Sequence, residues 1–353
     1  TSMMKFQGRQ TVRNMLVMTL LIAGAYFASF YTPMMGTGAM HGYDLRPIDY
    51  VYSWRDDQNV PGEAEVRAMA EEYGVTITDI AQVPMIRLAV DGYDIVEEET
   101  SIGTTWHEEY REVLTSELFI SESSYAALTG ESVDVKPGQV VPVMDRDGSG
   151  QYRFDGEISV VTNFLTGKKQ TMEPQPVLKN DSLIGHFVMD DADYVTLSEG
   201  LTNEWMEQLV VFNVENCQDS YDFGKALFNK IVDGSDESVA VLDSWDPVAR
   251  ERKIQESGYY IMDPASSAEH DIEVIDYNQR DSSGFRIYWK YMPAFRVLDK
   301  ADFVKTVAVF LMLFIFIAII CFAAVIVISF TRCMTIALSN ARGYDDLRHL
   351  GAP

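Results

Sequence analysis

Few stretches of the chain hold residue types at spacings that could do chemistry. Asp145, Asp147, Ser149 and Gly150 match positions 1, 3, 5 and 6 of a calcium loop, where oxygen ligands surround a hard cation. The twelfth position is Gly156 where a bidentate Glu is required, and Glu157 comes one place late. The flanks 140–144 and 152–154 read as strands, so Asp-Gly-Ser-Gly is expected to be a hairpin turn, with a weak cation site as the alternative. Thr166-Gly167-Lys168-Lys169 lacks the first glycine and the hydroxyl of a phosphate loop and also reads as a hairpin turn. His41, His107, His186, His270 and His349 are scattered, without the paired spacing of a zinc site. Cys217, Cys321 and Cys333 make neither a disulfide framework nor a metal pair. The expectation is therefore no catalytic residue, no metal and no cofactor.

Charge says more than motifs do. Of 353 residues, 53 are acidic and 28 basic, a net charge of −25. The excess lies in the middle: residues 36–302 hold 51 acids and 21 bases. Such a body disfavours nucleic acid, whose phosphates need Lys and Arg, and an anionic lipid surface. The acid runs Glu97-Glu98-Glu99 and Asp190-Asp191 read as a solvated face, or more sharply as a surface that attracts a cationic ligand.

Two apolar runs frame that body. Residues 14–40 and 306–331 carry no charge, and about 20 apolar residues suffice to cross ~30 Å of hydrocarbon. Lys5, Arg9 and Arg13 precede the first run, and Arg332, Arg342 and Arg348 follow the second, so the positive-inside rule puts both ends in the cytoplasm. Pro33 and the Gly36, Gly38 pair are expected to stop the first helix. In the second, Pro293 blocks helix upstream and Asp299 is the expected N-cap, with helix from Lys300 to about Ser339.

Between them the pattern is α+β. Residues 66–73 have helical spacing and end at Gly74. Residues 75–77, 85–90, 209–214, 239–242 and 285–289 read as strands. Asp219 is the expected cap of a helix over 221–232 that Gly234 stops, which makes a βαβ unit with its flanking strands. Asp246-Pro247 should open another helix, ended by Gly258. A weak repeat relates 119–128 to 188–197: each reads as a strand that meets a cap, Ser121 or Asp190, then a short helix with Tyr and Leu at i, i+3. The fold class is thus an α+β extracytoplasmic domain inserted between two transmembrane α-helices. Its expected parts are a cytoplasmic segment (1–13), a transmembrane helix (14–35), the α+β domain with one or two cores (36–298), a long helix with a span (299–331) and a cytoplasmic segment (332–353).

The tail reads Arg342-Gly343-Tyr344-Asp345-Asp346-Leu347-Arg348-His349-Leu350-Gly351-Ala352. It resembles the cytoplasmic loop of FtsX-like ABC transporter permeases, where a charged helix ends in Leu-x-x-Leu-Gly-Ala before the next span. The layout of one span, a large outer domain and a long span resembles the same family, and the large acidic domain looks like its bacitracin-type peptide-resistance or MacB type. The resemblance implies a separate cytoplasmic ABC ATPase as partner and a dimer of permease units in membrane lipid. It implies coupling of ATP hydrolysis through Arg342, Leu347, Leu350, Gly351 and Ala352, and a peptide, lipid or lipoprotein substrate. A cationic extracellular peptide suits the acidic domain, and a membrane histidine kinase is a further partner of the peptide-sensing type. Such permeases have at least four spans, so the chain is expected to be a segment of a longer one. The alternatives are a two-span receptor with an extracellular ligand-binding domain, or a membrane-anchored adhesion module.

Overall fold

The computed structural model describes residues 2–100, 103–144, 158–180, 183, 185–236, 246–248, 251, 254–255, 276–282, 285–286, 289, 291 and 293–349. The chain is mixed α and β, with a large sheet and a long apolar helix toward each terminus. It divides into two compact units, Thr1–Leu45 with Lys300–Pro353, and Arg46–Asp299.

In chain order the elements are α1 (Ser2–Asp44), β1 (Tyr50–Arg55), α2 (Glu63–Glu72), β2 (Ile77–Thr100), β3 (Gly103–Ser121), α3 (Glu122–Thr129) and β4 (Gln139–Met144). The short strands β5 (Val160–Thr162), β6 (Lys169–Thr171), β7 (Glu173–Pro174), β8 (Leu178–Lys179) and β9 (His186–Met189) follow. The remainder is α4 (Asp191–Ser198), β10 (Met206–Val214), α5 (Tyr221–Gly234), β11 (Ala294–Phe295) and α6 (Arg296–His349).

In the helical unit, α1 and α6 meet through small side chains. Ala25, Ala28 and Ala318 are buried together, with Phe314 and Cys321 against them. Small residues let two helix backbones approach closely. A methyl at Gly36 would stand 3.1 Å from Val307 Cγ1. This corrects the expected stop: α1 runs through Pro33, Gly36 and Gly38 to Asp44. The glycine that reads locally as a breaker serves the close approach to Val307, and contacts farther along, such as the Tyr43–Phe303 ring pair at 5.6 Å, reward continued helix. Lys300 Nζ reaches Asp44 Oδ1 at 2.5 Å. Over Met15–Asp44 and Arg296–Leu338 the two helices are long and apolar enough to cross a membrane.

In the sheet unit the main strand order is β11-β1-β10-β2-β3-β9-β4-β7. β10 sits between antiparallel β1 and β2, and its centre, Leu209–Phe212, is buried on both faces and reads as an apolar run. Val210 and Phe212 face a core of Tyr50, Tyr52, Phe223, Phe228, Trp289 and Phe295, covered by α2 and α5. Leu209 and Val211 face the other side, with Met85, Ile120, Tyr125 and Val188. A third cluster, Ile86, Leu88, Phe119, Val140, Phe187 and Leu197, lies under α4. The Thr166-Gly167 hairpin forms as expected, between antiparallel β5 and β6 with Gly167 at φ +71°. Buried Asn163 braces it, accepting from Leu165 N and Thr166 N and donating to the carbonyls of Leu197 and Glu199.

Several boundaries differ from the sequence reading. Residues 75–77 and 85–90 are not two strands: β2 runs from Ile77 to Thr100, because β10 supplies backbone partners from Ile77 to Ile86 and β3 from Ile86 to Thr100. Asp219 does not cap α5. It lies in a short 3-10 turn, and Ser220 stands at the N-cap, its hydroxyl committed to Cys217 O (2.7 Å) and Tyr50 Oη (2.5 Å). Gly234 is the last residue of α5; a methyl there would meet Asn59 O at 2.1 Å. Phe285 and Arg286 are helical rather than strand, and Trp289 N–H donates to Phe285 O (2.9 Å); residues 287–288 lie outside the described residues. Apolar residues four apart share a face in either conformation, so so short a run fits both periods. Asp299 does not cap α6, which begins at Arg296 directly after β11 and continues past Ser339 to His349. Residues 239–242 and Gly258 lie outside the described residues, and both neighbours of β10 are antiparallel.

Candidate functional site

Of the expected coupling residues, Arg342 and Leu347 fall within α6, one unbroken helix of 54 residues, while Leu350, Gly351 and Ala352 lie outside the described residues. The calcium-like stretch with Asp145, Asp147 and Ser149 also lies outside them; its upstream flank is strand β4. Among the described residues no group of His, Cys, Asp or Glu is placed to hold a metal ion.

The sheet unit closes on itself where the chain enters and leaves it. Arg46 Nη1 lies 2.7 Å from Asp299 Oδ2, and Arg296 pairs with the buried Asp49 carboxylate. Asp49 also accepts from Val214 N (3.0 Å), and Arg296 donates to Arg46 O (3.0 Å). The first turn of α6 is thereby tied to the sheet through both β11 and these charges. Deeper in, Arg87 Nη2 meets Glu207 Oε1 at 2.5 Å, with Glu207 fully enclosed. Burial works against the Arg87 charge, but the Glu207 carboxylate outweighs it and raises the pKa. Nearby, Asp246 accepts from the N–H (3.0 Å) and hydroxyl of Ser116. These groups are paired inside the fold.

An accessible arrangement among the described residues is an arm. Past β5, which pairs with β2 at Ala89 and Val90, residues 92–100 and 103–111 pair only with each other among the described residues. The register places Tyr93 opposite Tyr110, Ile95 opposite Glu108 and Glu97 opposite Trp106. Successive residues of a strand point to opposite faces, so Tyr93, Ile95, Trp106 and Tyr110 share one face. Each is about half exposed or more, from 49% for Tyr110 to 66% for Ile95. The other face carries Asp94, Glu109, His107 and Arg111, with Arg111 Nε 2.8 Å from Asp94 Oδ2.

The base of this arm is locked by Asp91, at the register shift between Val90 and Gly92. Its buried carboxylate accepts from Ser159 N (2.9 Å), Val160 N (3.0 Å) and the Tyr110 hydroxyl (3.0 Å). Donation to Asp91 holds the Tyr110 hydroxyl protonated above its ordinary pKa. Sequence reasoning noticed the Glu97-Glu98-Glu99 run here but not the aromatic face. The available signal was the alternation of Tyr93 and Ile95 with polar residues, matched across the Gly103 turn by Trp106 and Tyr110.

No protein-family model matches the chain, and no curated protein matches it.

Proposed function

We propose that the chain is the membrane-spanning subunit of an ABC transporter of FtsX-like type. On this reading α1 and α6 cross the bilayer, the sheet unit lies outside the cell, and both basic ends are cytoplasmic. A separate ATPase closes on the tail at Arg342, Leu347, Leu350, Gly351 and Ala352 and moves it. α6 passes that motion outward to a domain that acts on a peptide, lipid or lipoprotein.

The observation that carries the reading is α6 itself. It is roughly 80 Å long at 1.5 Å per residue, well beyond the ~30 Å hydrocarbon layer. It has no break between β11 and the tail, and its first turn is fixed to the sheet by Arg296–Asp49 and Asp299–Arg46. A helix hydrogen-bonded at every turn resists compression, so a displacement at one end reaches the other. A mere anchor would need neither the extra length nor a clamped start.

The test is to purify the full-length protein from its own membrane and follow ATP hydrolysis. An ATPase should co-purify, and Leu347→Asp with Leu350→Asp should abolish its association while the sheet unit melts unchanged. Unaltered association in that variant, or no ATPase with the wild type, would overturn the reading and leave the two-span receptor as the better account.

A further inference from the structure

We propose that the β2–β3 arm is a docking surface for a cationic polypeptide segment that interleaves Lys or Arg with apolar side chains. It gives the peptide partner of the transporter reading a place on the fold, and its test does not depend on an ATPase. Three observations converge on it. First, Tyr93, Ile95, Trp106 and Tyr110 lie on one face of a two-stranded ribbon and stay largely exposed. Large apolar groups clustered on a soluble surface mark interaction sites. Second, residues 91–112 contain eight acids and one basic residue, Arg111, which is held by Asp94 and Glu109. Third, the arm is pre-organised: Asp91 pins its base to β5, Tyr93 and Tyr110 rings pack edge-on at 5.7 Å, and Lys169 ties Glu112 to β6 at 2.7 Å.

The chemistry selects the occupant. An aromatic face attracts a cation placed over it, and neighbouring carboxylates strengthen that attraction. Glu108, opposite Ile95, sets a carboxylate within the apolar stripe. A purely apolar partner would leave these acids desolvated and unpaired. Nucleic acid and anionic lipid would be repelled. A polypeptide with alternating charge and apolar side chains, extended along the ribbon, satisfies both features at once.

The probe is a short peptide of alternating Lys and Leu, titrated onto the full chain in nanodiscs of zwitterionic lipid, with empty nanodiscs as the reference. Among the described tryptophans, Trp54, Trp205 and Trp289 are buried and Trp106 is exposed, so Trp106 should respond to binding. The expected result is saturable binding that weakens with added salt. Tyr93→Ala with Trp106→Ala should weaken it roughly tenfold or more, as loss of aromatic anchors does at interfaces. Glu108→Lys should weaken it comparably with both rings intact, and Trp106→Phe should keep binding while losing the signal, read then by a labelled peptide. All these side chains are exposed, and unchanged melting of each variant would confirm folding. Equal binding of a Glu/Leu peptide, equal binding to empty nanodiscs, or unchanged affinity in the two arm variants would each overturn the proposal.

Discussion

Arg46 Nη1 and Asp299 Oδ2 lie 2.7 Å apart, although 253 positions separate them in the chain. They are the first and last residues of the sheet unit. The adjacent pair, Arg296 with Asp49, repeats the same closure one step further in, where Asp49 is buried. Exposed pairs contribute less than ~1 kcal/mol, whereas removing one partner of a buried pair costs about 3 kcal/mol or more. Asp49→Ala should therefore destabilise the sheet unit by about 3 kcal/mol, and Asp299→Ala, in a part-buried pair, by less. Denaturant unfolding followed by tryptophan fluorescence measures both, and equal losses would show that burial does not separate the two pairs.

The Arg87–Glu207 pair invites a double-mutant cycle. Glu207→Leu leaves the Arg87 charge enclosed and should cost about 3–5 kcal/mol. Arg87→Met with Glu207→Leu should recover much of that, since a buried pair replaced by apolar side chains of similar volume is often neutral. A double variant as unstable as the single one would mean that Arg87 serves its other neighbours, such as Ser116, more than Glu207.

Cap chemistry gives a third expectation. Ser121 accepts from Ser124 N, and Asp190 accepts from Ala192 N and Asp193 N. Replacing either by Ala should cost about 1 kcal/mol, and replacing it by Gly only a few tenths. Thermal melting of the four variants checks the order; Ala as mild as Gly would remove the capping role.

Asp191 makes the acid limb of stability sensitive to one carboxyl. Burial by itself would raise its pKa, but hydrogen bonds from Ser123 N–H and from the Ser123 and Ser121 hydroxyls hold it below the ordinary 3.8. A carboxyl depressed in the fold binds its proton more weakly folded than unfolded. Its stabilisation is full above about pH 3.8 and is lost as pH falls through the lower folded value. Asp191→Asn should melt below the wild type at pH 7, and the gap should narrow as pH drops beneath 3.8. A gap of constant size across that window would show that the carboxylate charge is not what matters.

Membrane orientation can be read from a native cysteine. Cys333 is exposed and follows Arg332, whereas Cys217 is buried. On the transporter reading, an impermeant maleimide added to intact cells should spare Cys333 and label it only after permeabilisation. Tyr93→Cys, on the arm, should label in intact cells. The reverse pattern would invert the orientation.

How far the fold could be read beforehand follows from how local each signal is. The two long helices announced themselves as uncharged runs because apolar content needs no partner to be counted. The strand, cap and short-helix junctions at Ser121 and Asp190 and the Gly167 hairpin were equally legible, since one side chain bonding its own neighbours decides each. Helix ends were not. Pro33 and Gly36 signal a stop locally, and only Val307 against Gly36 shows why the helix continues. The arm escaped notice for the same reason: its aromatic face exists only once Tyr93 is set opposite Tyr110. The tail's Leu350, Gly351 and Ala352 rest on sequence resemblance alone.

The internal repeat shows the division most sharply. By itself the sequence determined that 119–128 and 188–197 share a local form, with equivalent residues 69 apart. Tertiary structure set the two strands side by side and parallel, but in a register offset by 68, with Phe119 opposite Phe187 and Ile120 opposite Val188. A slip of one residue turns every side chain to the other face of a sheet. Equivalent residues therefore point to opposite faces. Tyr125 and Leu128 of α3 pack with Ile120 on one side, and Leu197 of α4 packs with Phe119 on the other. Local patterning can set the period of each strand, but the face it presents depends on the pairing register, which only the assembled sheet decides.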